Sequence, residues 1–286
     1  MTGLLASMAK SSLARVRAAQ AQESEKSLWD RASDTPPGPP LQLSAERFDL
    51  IAECKLHSPS AGDLSSQTTG VEARVASYAR GGAAAVSVLT EPTRFKGSLE
   101  HLASASQVLA PLGVPTMRKD FLVDPYQVME ARAAGASGVL VIVRMLDQSR
   151  IGALIDCAAM LHMFVLLEAF DAADLEATDQ ILAARKRHDE QILVGLNCRD
   201  LDTLSVDLAR LVQLFPDLPD DRPRVAESGV TRVADAERVA ELGYELALVG
   251  SALMGVSEPC QLVGDMLAAG RRRALARGSS EARGQE

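Results

Sequence analysis

The chain has 286 residues, 47% of them hydrophobic, 24% charged and 3% aromatic, with a net charge of −8. That balance is ordinary for a globular protein and excludes collagen-like, coiled-coil and wholly disordered chains; no apolar run approaches the roughly 20 residues of a membrane helix. The acidic balance argues against a general nucleic-acid binder, while a local basic pocket holding one small anion stays open.

Residues 1–22 carry Lys10, Arg15 and Arg17 with no acid, a composition shared by organelle transit peptides. An Ala-rich helix packed on the domain explains it more simply. The run Asp34-Thr35-Pro36-Pro37-Gly38-Pro39-Pro40 excludes regular structure and reads as a linker. Eight short β-branched or apolar runs follow, at 49–55, 84–89, 114–119, 138–143, 163–168, 192–197, 224–227 and 246–250. Helical patterns lie between them, as at 125–134, 147–161 and 233–242, with Gly135 and Gly243 placed to end two of them. Strand–helix alternation means a parallel sheet, and eight units predict a closed α/β barrel of the (β/α)8 type. A doubly wound open sheet is the alternative, but no GxGxxG follows the first run. The predicted organisation is an N-terminal helical extension and linker over 1–47, a barrel over 48–269, and a disordered tail over 270–286. Cys54, Cys157, Cys198 and Cys260 are widely spaced without a CxxC, which predicts reduced, mostly buried thiols in a cytoplasmic protein.

Active sites of such barrels stand at the C-terminal ends of the strands. The first run ends in Glu53-Cys54-Lys55, and period-2 geometry puts Glu53 and Lys55 on one face and Cys54 on the other. The third ends in Lys119, the fifth in Glu168, the sixth in Asn197 and the seventh in Glu227. Charges that terminate apolar strands are costly to bury unless paired. A ring of structural ion pairs capping the barrel is one explanation; a catalytic acid–base cluster is the other. Lysine usage favours the second. Only six of the 30 basic residues are lysines, yet two of them fall at strand ends. An amine can exchange a proton where a guanidinium cannot.

Two glycine turns, Ser228-Gly229 and Gly250-Ser251, follow the seventh and eighth runs, where barrels commonly hold phosphate. Each alone reads equally well as a tight βα loop. The first-strand loop, 58–62 (SPSAG), has the composition of a flap that folds over the same ligand.

Together the blocks IAECKLHSPSAGDL, VPTMRKDFLVDPYQVMEARAAGASGVLVIV, VGLNCRDLDTLSVDL, RVAESGV and ALVGSALM resemble the strand-end motifs of the indole-3-glycerol phosphate synthase family, in order over about residues 48–267. The resemblance implies a (β/α)8 lyase of tryptophan biosynthesis with an N-terminal helical extension and no cofactor or metal. Such an enzyme closes the indole ring of 1-(2-carboxyphenylamino)-1-deoxyribulose 5-phosphate and releases carbon dioxide and water. By position it implies Lys119 as the general acid of ring closure and Lys55 beside it, on the substrate carboxylate or in the later dehydration. It implies Glu168 as general base with Glu53 as electrostatic partner. Asn197 and Glu227 match ligands of the hydroxyl and ring regions. Ser58, Ser228, Gly229, Gly250 and Ser251 match the phosphate cradle, and Phe121 and Phe95 the wall against the anthranilate ring. The implied partner is a phosphorylated small molecule, with no nucleic acid or membrane, and the oligomeric state expected is a monomer.

The chain departs from the family pattern at Leu56 and Ala61, where basic residues are frequent, and at Phe170 in the EAFD that follows the fifth run. Residues 177–191 are longer and more charged than usual and predict an extended surface helix. These departures leave open a specialised paralogue acting on a modified substrate. A sister phosphate-binding barrel using a Cys–Asp pair is a further reading, opposed by the outward parity of Cys54. A non-catalytic ligand-binding descendant is opposed by the full set of strand-end charges.

Overall fold

The computed structural model describes residues 3–55, 57–58, 62–63, 70–185, 191–201 and 203–283, as backbone alone at 58, 62–63 and 278–283. Eight parallel strands close into one barrel. In chain order they are β1 (Asp49–Cys54), β4 (Ala85–Leu89), β5 (Thr116–Lys119), β6 (Gly138–Ile142), β7 (Phe164–Ala169), β8 (Ile192–Asn197), β9 (Arg224–Glu227) and β10 (Leu246–Val249). Closure comes from β10 pairing with β1, Asp49 against Leu246. A two-stranded antiparallel hairpin, β2 (His57–Ser58) and β3 (Gly62–Asp63), extends from the end of β1. The expected flap at 58–62 falls here, and its residues 59–61 lie outside the described residues.

The strands read as apolar runs because both faces are covered, by barrel interior on one side and helices on the other. Leu50, Ala52, Val86, Val139 and Val194 are all fully buried. Helices alternate with the strands: α3 (Val71–Arg80), α4 (Leu99–Leu109), α5 (Pro125–Ala133), α6 (Gln148–Met160), α7 (Ala172–Ala183), α8 (Ala209–Gln213), α9 (Val233–Leu242), α10 (Ser251–Met254) and α11 (Pro259–Arg283). Asp124, Asp147 and Asp171 cap α5, α6 and α7, each side chain accepting a hydrogen bond from a first-turn N–H. Gly243 ends α9 at φ +113, a conformation that strains any residue with a β-carbon. The extension expected over 177–191 is not seen in α7, which ends at Ala183; residues 186–190 lie outside the described residues.

The N-terminal segment is a helical extension docked on the catalytic face. In α1 (Gly3–Gln20), Leu5, Met8, Ser12 and Val16 are buried at helical spacing. Ser12 Oγ donates to the carbonyl of Phe121, and Gln127 Nε2 donates to Ser12 Oγ at 2.9 Å. The basic, acid-free composition therefore belongs to a packing helix, with Arg15 forming a bidentate pair with Asp120 at 2.8 and 2.9 Å. The second helix, α2 (Glu25–Asp34), packs on α5, and the proline-rich linker follows it, held where Arg132 donates to the Thr35 and Pro36 carbonyls.

The tail corrects one expectation. Residues from Gly270 were predicted to be disordered, yet α11 continues through them to Arg283. Gly270 permits this, because a β-carbon there would lie 2.1 Å from the Phe48 ring. Arg271 donates to the Phe48 carbonyl at 3.0 Å and to Asp49 Oδ1 at 2.9 Å, and Ala274 is buried. The arginine cluster reads as a solvated terminus in sequence, since nothing local tells Arg271 that a barrel strand lies beside it.

Candidate active site

The C-terminal ends of the strands surround a cavity of about 320 Å³. Register brings its polar groups to one level: Glu168 pairs with Gly195, Asn197 with Glu227, and Glu227 with Leu248. Glu53, Lys55, Lys119, Glu168, Asn197 and Glu227 all line it, as the alternation of side chains along the strands predicted. Phe95, Phe121, Ser228, Gly229, Gly250 and Ser251 line it too. Ser58 contributes backbone to β2, and its side chain lies outside the described residues. Leu140, Ile142 and Leu248 form the floor and apolar wall, and Leu4 of α1 reaches the rim.

Two ion-pair systems occupy the mouth. On β1, Lys55 Nζ donates to Glu53 Oε1 at 2.7 Å. Burial by itself would push the Glu53 carboxyl up, but the charges of Lys55 and Lys119 win and hold it below the usual range. Across the barrel, Lys119 Nζ lies 3.2 Å from Glu227 Oε2 and 3.5 Å from Glu168 Oε1. Burial disfavours its charge, yet Glu168, Glu227 and Glu53 outweigh that and keep Lys119 firmly protonated. Glu168 Oε1 also accepts from Asn197 Nδ2 at 2.6 Å. The amide of Asn197 is fixed from its other end, where Oδ1 accepts from Arg199 N at 3.0 Å and Ser228 Oγ at 2.8 Å.

Glu227 sits differently. Burial and the neighbouring Glu168 charge push its carboxyl up to about 8, against the opposing pull of Lys119. Its Oε1 is buried and accepts no hydrogen bond among the described residues. Gly195 makes room for that oxygen: a β-carbon there would stand 2.1 Å from it. Gly250 serves the other pair in the same way, since its β-carbon would meet Glu53 Oε1 at 2.3 Å and Lys55 Nζ at 3.0 Å.

Behind β5, Asp120 accepts from both Arg15 nitrogens, from Arg118 Nη2 at 3.1 Å, from Thr90 Oγ1 at 2.8 Å and from the Phe121 N–H at 2.8 Å. Burial opposes its charge, but Arg118 and Arg15 hold the carboxyl down at about 2. This network fixes the backbone on either side of Lys119 and Phe121, whose ring stacks at 6.2 Å against that of Phe95.

Sequence reasoning did not assign Arg199, Phe170 or Leu4 to the site, although Phe170 stood out as a departure from the family pattern. Arg199 lines the mouth, two residues past Asn197 and on its face, so the period-2 rule carried one step into the loop could have found it. Phe170 lies under the Arg144 guanidinium at 4.7 Å, itself paired with Asp171 and Asp174, and presents an apolar edge to the cavity. Leu4 could not be found, because its contact with the mouth is made by docking of a separate helix. Cys54 points away from the cavity as expected, buried near Tyr78 and Arg74, with burial pushing its thiol up to about 12. Among the described residues no group of three His, Cys, Asp or Glu side chains is arranged to hold a metal ion, and no helix is long and apolar enough to cross a membrane.

A (β/α)8 barrel with two lysines and three buried glutamates around one cavity defines an acid–base enzyme. Solved barrels share the fold at low identity, among them thiamine phosphate pyrophosphorylase from Pyrococcus furiosus (15% identity, TM-score 0.58, 80% of this chain and 98% of that one). Another is 3-hexulose-6-phosphate synthase from Salmonella typhimurium (13%, TM-score 0.57, 80% and 100%). The family model "Indole-3-glycerol phosphate synthase" matches residues 5–266. Proteins of that name are 44% identical over 230 residues in Parafrankia sp. (80% of this chain, 81% of that one) and 40% identical over 261 residues in Mycolicibacterium smegmatis (90% and 91%). The chain belongs to the indole-3-glycerol phosphate synthase family and is a carboxy-lyase of tryptophan biosynthesis.

Proposed function

We propose that the chain closes the indole ring of 1-(2-carboxyphenylamino)-1-deoxyribulose 5-phosphate to give indole-3-glycerol phosphate. The observation that carries this is Lys119 Nζ, a protonated amine held between Glu168 and Glu227 in the cavity. Attack of the aromatic carbon on the substrate ketone develops an alkoxide, and a positioned ammonium is the acid it needs. Ring closure breaks aromaticity at the carbon bearing the carboxylate, so loss of carbon dioxide restores it. Departure of the hydroxyl then needs a second acid, for which Lys55 at the end of β1 stands in the same cavity. Removal of the adjacent ring proton needs a base, for which Glu168 is oriented by Asn197. Glu53 accepts from Lys55 Nζ at 2.7 Å and holds it in place.

Binding follows the same division. Arg199 and Lys55 suit the substrate carboxylate, and Phe95, Phe121 and Leu140 suit its ring. The turns at Ser228-Gly229 and Gly250-Ser251, with Ser58 of the β1 loop, suit the phosphate; Ser228 and Gly229 both adopt positive φ, at +67 and +74. We place the enzyme in the cytoplasm, where a reducing environment keeps its four cysteines free. Phe170 favours a second reading, a ring-substituted anthranilate substrate, because it adds apolar surface beside Ile142. The test is to incubate the purified protein with the unsubstituted ribulose phosphate and follow indole absorbance. No indole with this substrate, but turnover of a substituted one, selects the second reading.

A further inference from the structure

The two carboxylates that flank Lys119 are not equivalent. Glu168 Oε1 accepts from Lys119 and from Asn197, whose amide is locked by Arg199 N and Ser228 Oγ so that its NH2 faces Glu168. Glu227 Oε2 accepts from Lys119, and among the described residues its buried Oε1 accepts no hydrogen bond. A bare buried carboxylate oxygen is costly, and two carboxylates cannot share one ammonium in a closed site without one taking a proton. Burial and the neighbouring Glu168 charge push up the Glu227 carboxyl, so the proton belongs to Glu227.

We propose that Glu227 is a proton-carrying catalytic acid that recharges Lys119 within each turnover, across their 3.2 Å contact. The proposal rests on Lys119 being the acid of ring closure. In that step a Lys119 N–H bond breaks and the substrate alkoxide oxygen takes the proton. The Glu227 O–H bond then breaks and the Lys119 N–H bond re-forms, leaving a Glu227 carboxylate. When Glu168 removes the ring proton during rearomatisation, that proton refills the Glu168–Glu227 pair and restores the starting state. The hydroxide leaves as water with a proton from Lys55, which is replaced from solvent, so one proton is taken up per turnover. The direction of transfer is downhill, since Lys119 is the stronger base of the two. Among the described residues the other charged groups lining the mouth are Glu53 and Lys55 on β1, Asp120 beside Lys119, held by Arg15 and Arg118, and Arg199 after β8. Glu53 and Lys55 are bound to each other, and the Arg199 guanidinium donates to the Leu204 carbonyl.

The experiment uses the full chain and two independent readouts. Infrared difference spectra of the resting enzyme at neutral pH should show a deuterium-sensitive carbonyl band of a protonated carboxyl. That band should vanish in Glu227→Gln and also in Glu168→Gln, where loss of the neighbouring charge lets Glu227 ionise. A resting enzyme without the band overturns the proposal, whatever its activity. Rapid-mix carbon dioxide release should then show, for Glu227→Gln, one fast equivalent per site followed by turnover at least tenfold slower than the parent. Steady turnover within threefold of the parent, or slowness from the first equivalent onward, also overturns it. A Lys119→Met enzyme that still releases the first equivalent rapidly instead removes Lys119 from the chemistry, which is failure of the underlying reading, with the band unaffected as a separate result. Should Glu227→Gln fold poorly, the band in the parent and its loss in Glu168→Gln decide the matter alone.

Discussion

Gly195 on β8 and the side chain of Glu227 on β9 approach so closely that a β-carbon on Gly195 would stand 2.1 Å from Glu227 Oε1. A glycine inside a barrel strand weakens the strand, and here it makes space for a buried carboxyl that reaches Lys119. Gly195→Ala should therefore leave a folded barrel and displace the carboxyl by an ångström or more. Misplacement on that scale can lower turnover by roughly 100-fold. Steady-state kinetics beside a melting curve checks this; a Gly195→Ala enzyme with parental kcat would show that the position of Glu227 is immaterial.

Lys119→Met should lower kcat by roughly 10²–10⁴, the range of a lost general acid, with much smaller change in substrate binding. Lys119→Arg should not restore it, because a guanidinium does not give up its proton. Sequence parity suggests apolar surroundings that would accept methionine, with Met117 on the same face. The structure surrounds the amine with Glu53, Glu168 and Glu227 instead. Without the ammonium the Glu227 carboxyl, already raised to about 8 against the pull of Lys119, moves further above its unfolded value. Stability of the variant should then be greatest at mildly acid pH and fall as pH rises, in melting curves recorded from pH 5 to 9.

Gly250→Ala should affect turnover more than phosphate affinity. Its β-carbon would meet the bonded Glu53–Lys55 pair at 2.3 and 3.0 Å, so the pair must move even though the turn still presents its N–H groups. The expected result is a kcat reduced about tenfold or more, as for a displaced acid, with inhibition by inorganic phosphate nearly unchanged. A variant that loses phosphate inhibition and keeps kcat would reverse the assignment.

Arg15 tests the link between the N-terminal helix and β5. Asp120 is held at about 2, below its ordinary value of 3.8, by burial-opposing pairs with Arg118 and Arg15. A depressed carboxyl contributes stability that is complete above its unfolded value and is lost as pH falls through the folded one. That contribution is on the order of 2 kcal/mol and should disappear between about pH 4 and pH 2. Arg15→Met leaves Asp120 with Arg118, Thr90 and the Phe121 N–H, so it should cost about 1–3 kcal/mol at neutral pH and flatten the acid slope. Urea unfolding at pH 7, 4 and 2.5 measures both.

Strands and parity were legible because they are local. Apolar runs bounded by turn residues give the eight barrel strands to within two residues at each end, and alternation puts Glu53 and Lys55 inside with Cys54 outside. The glycine ends at Gly135 and Gly243 were legible for the same reason. What stayed hidden depends on contacts between distant segments. Arg271 reads as part of a solvated tail until Phe48 and Asp49 are brought beside it. Arg15 reads as one cation in an acid-free helix until Asp120 receives it.

By itself the sequence determined the barrel, the level of the charged ring at its mouth and the residue types on that ring, because backbone periodicity fixes which side chains share a face. Only the tertiary structure decided how charge is distributed there. Glu168 and Glu227 are each a glutamate ending an apolar strand, with nothing in their neighbours to separate them. They differ because Asn197 donates to one and Gly195 leaves the other's oxygen buried and bare. The position of a proton follows from the summed field and hydrogen bonds of groups that only folding brings together.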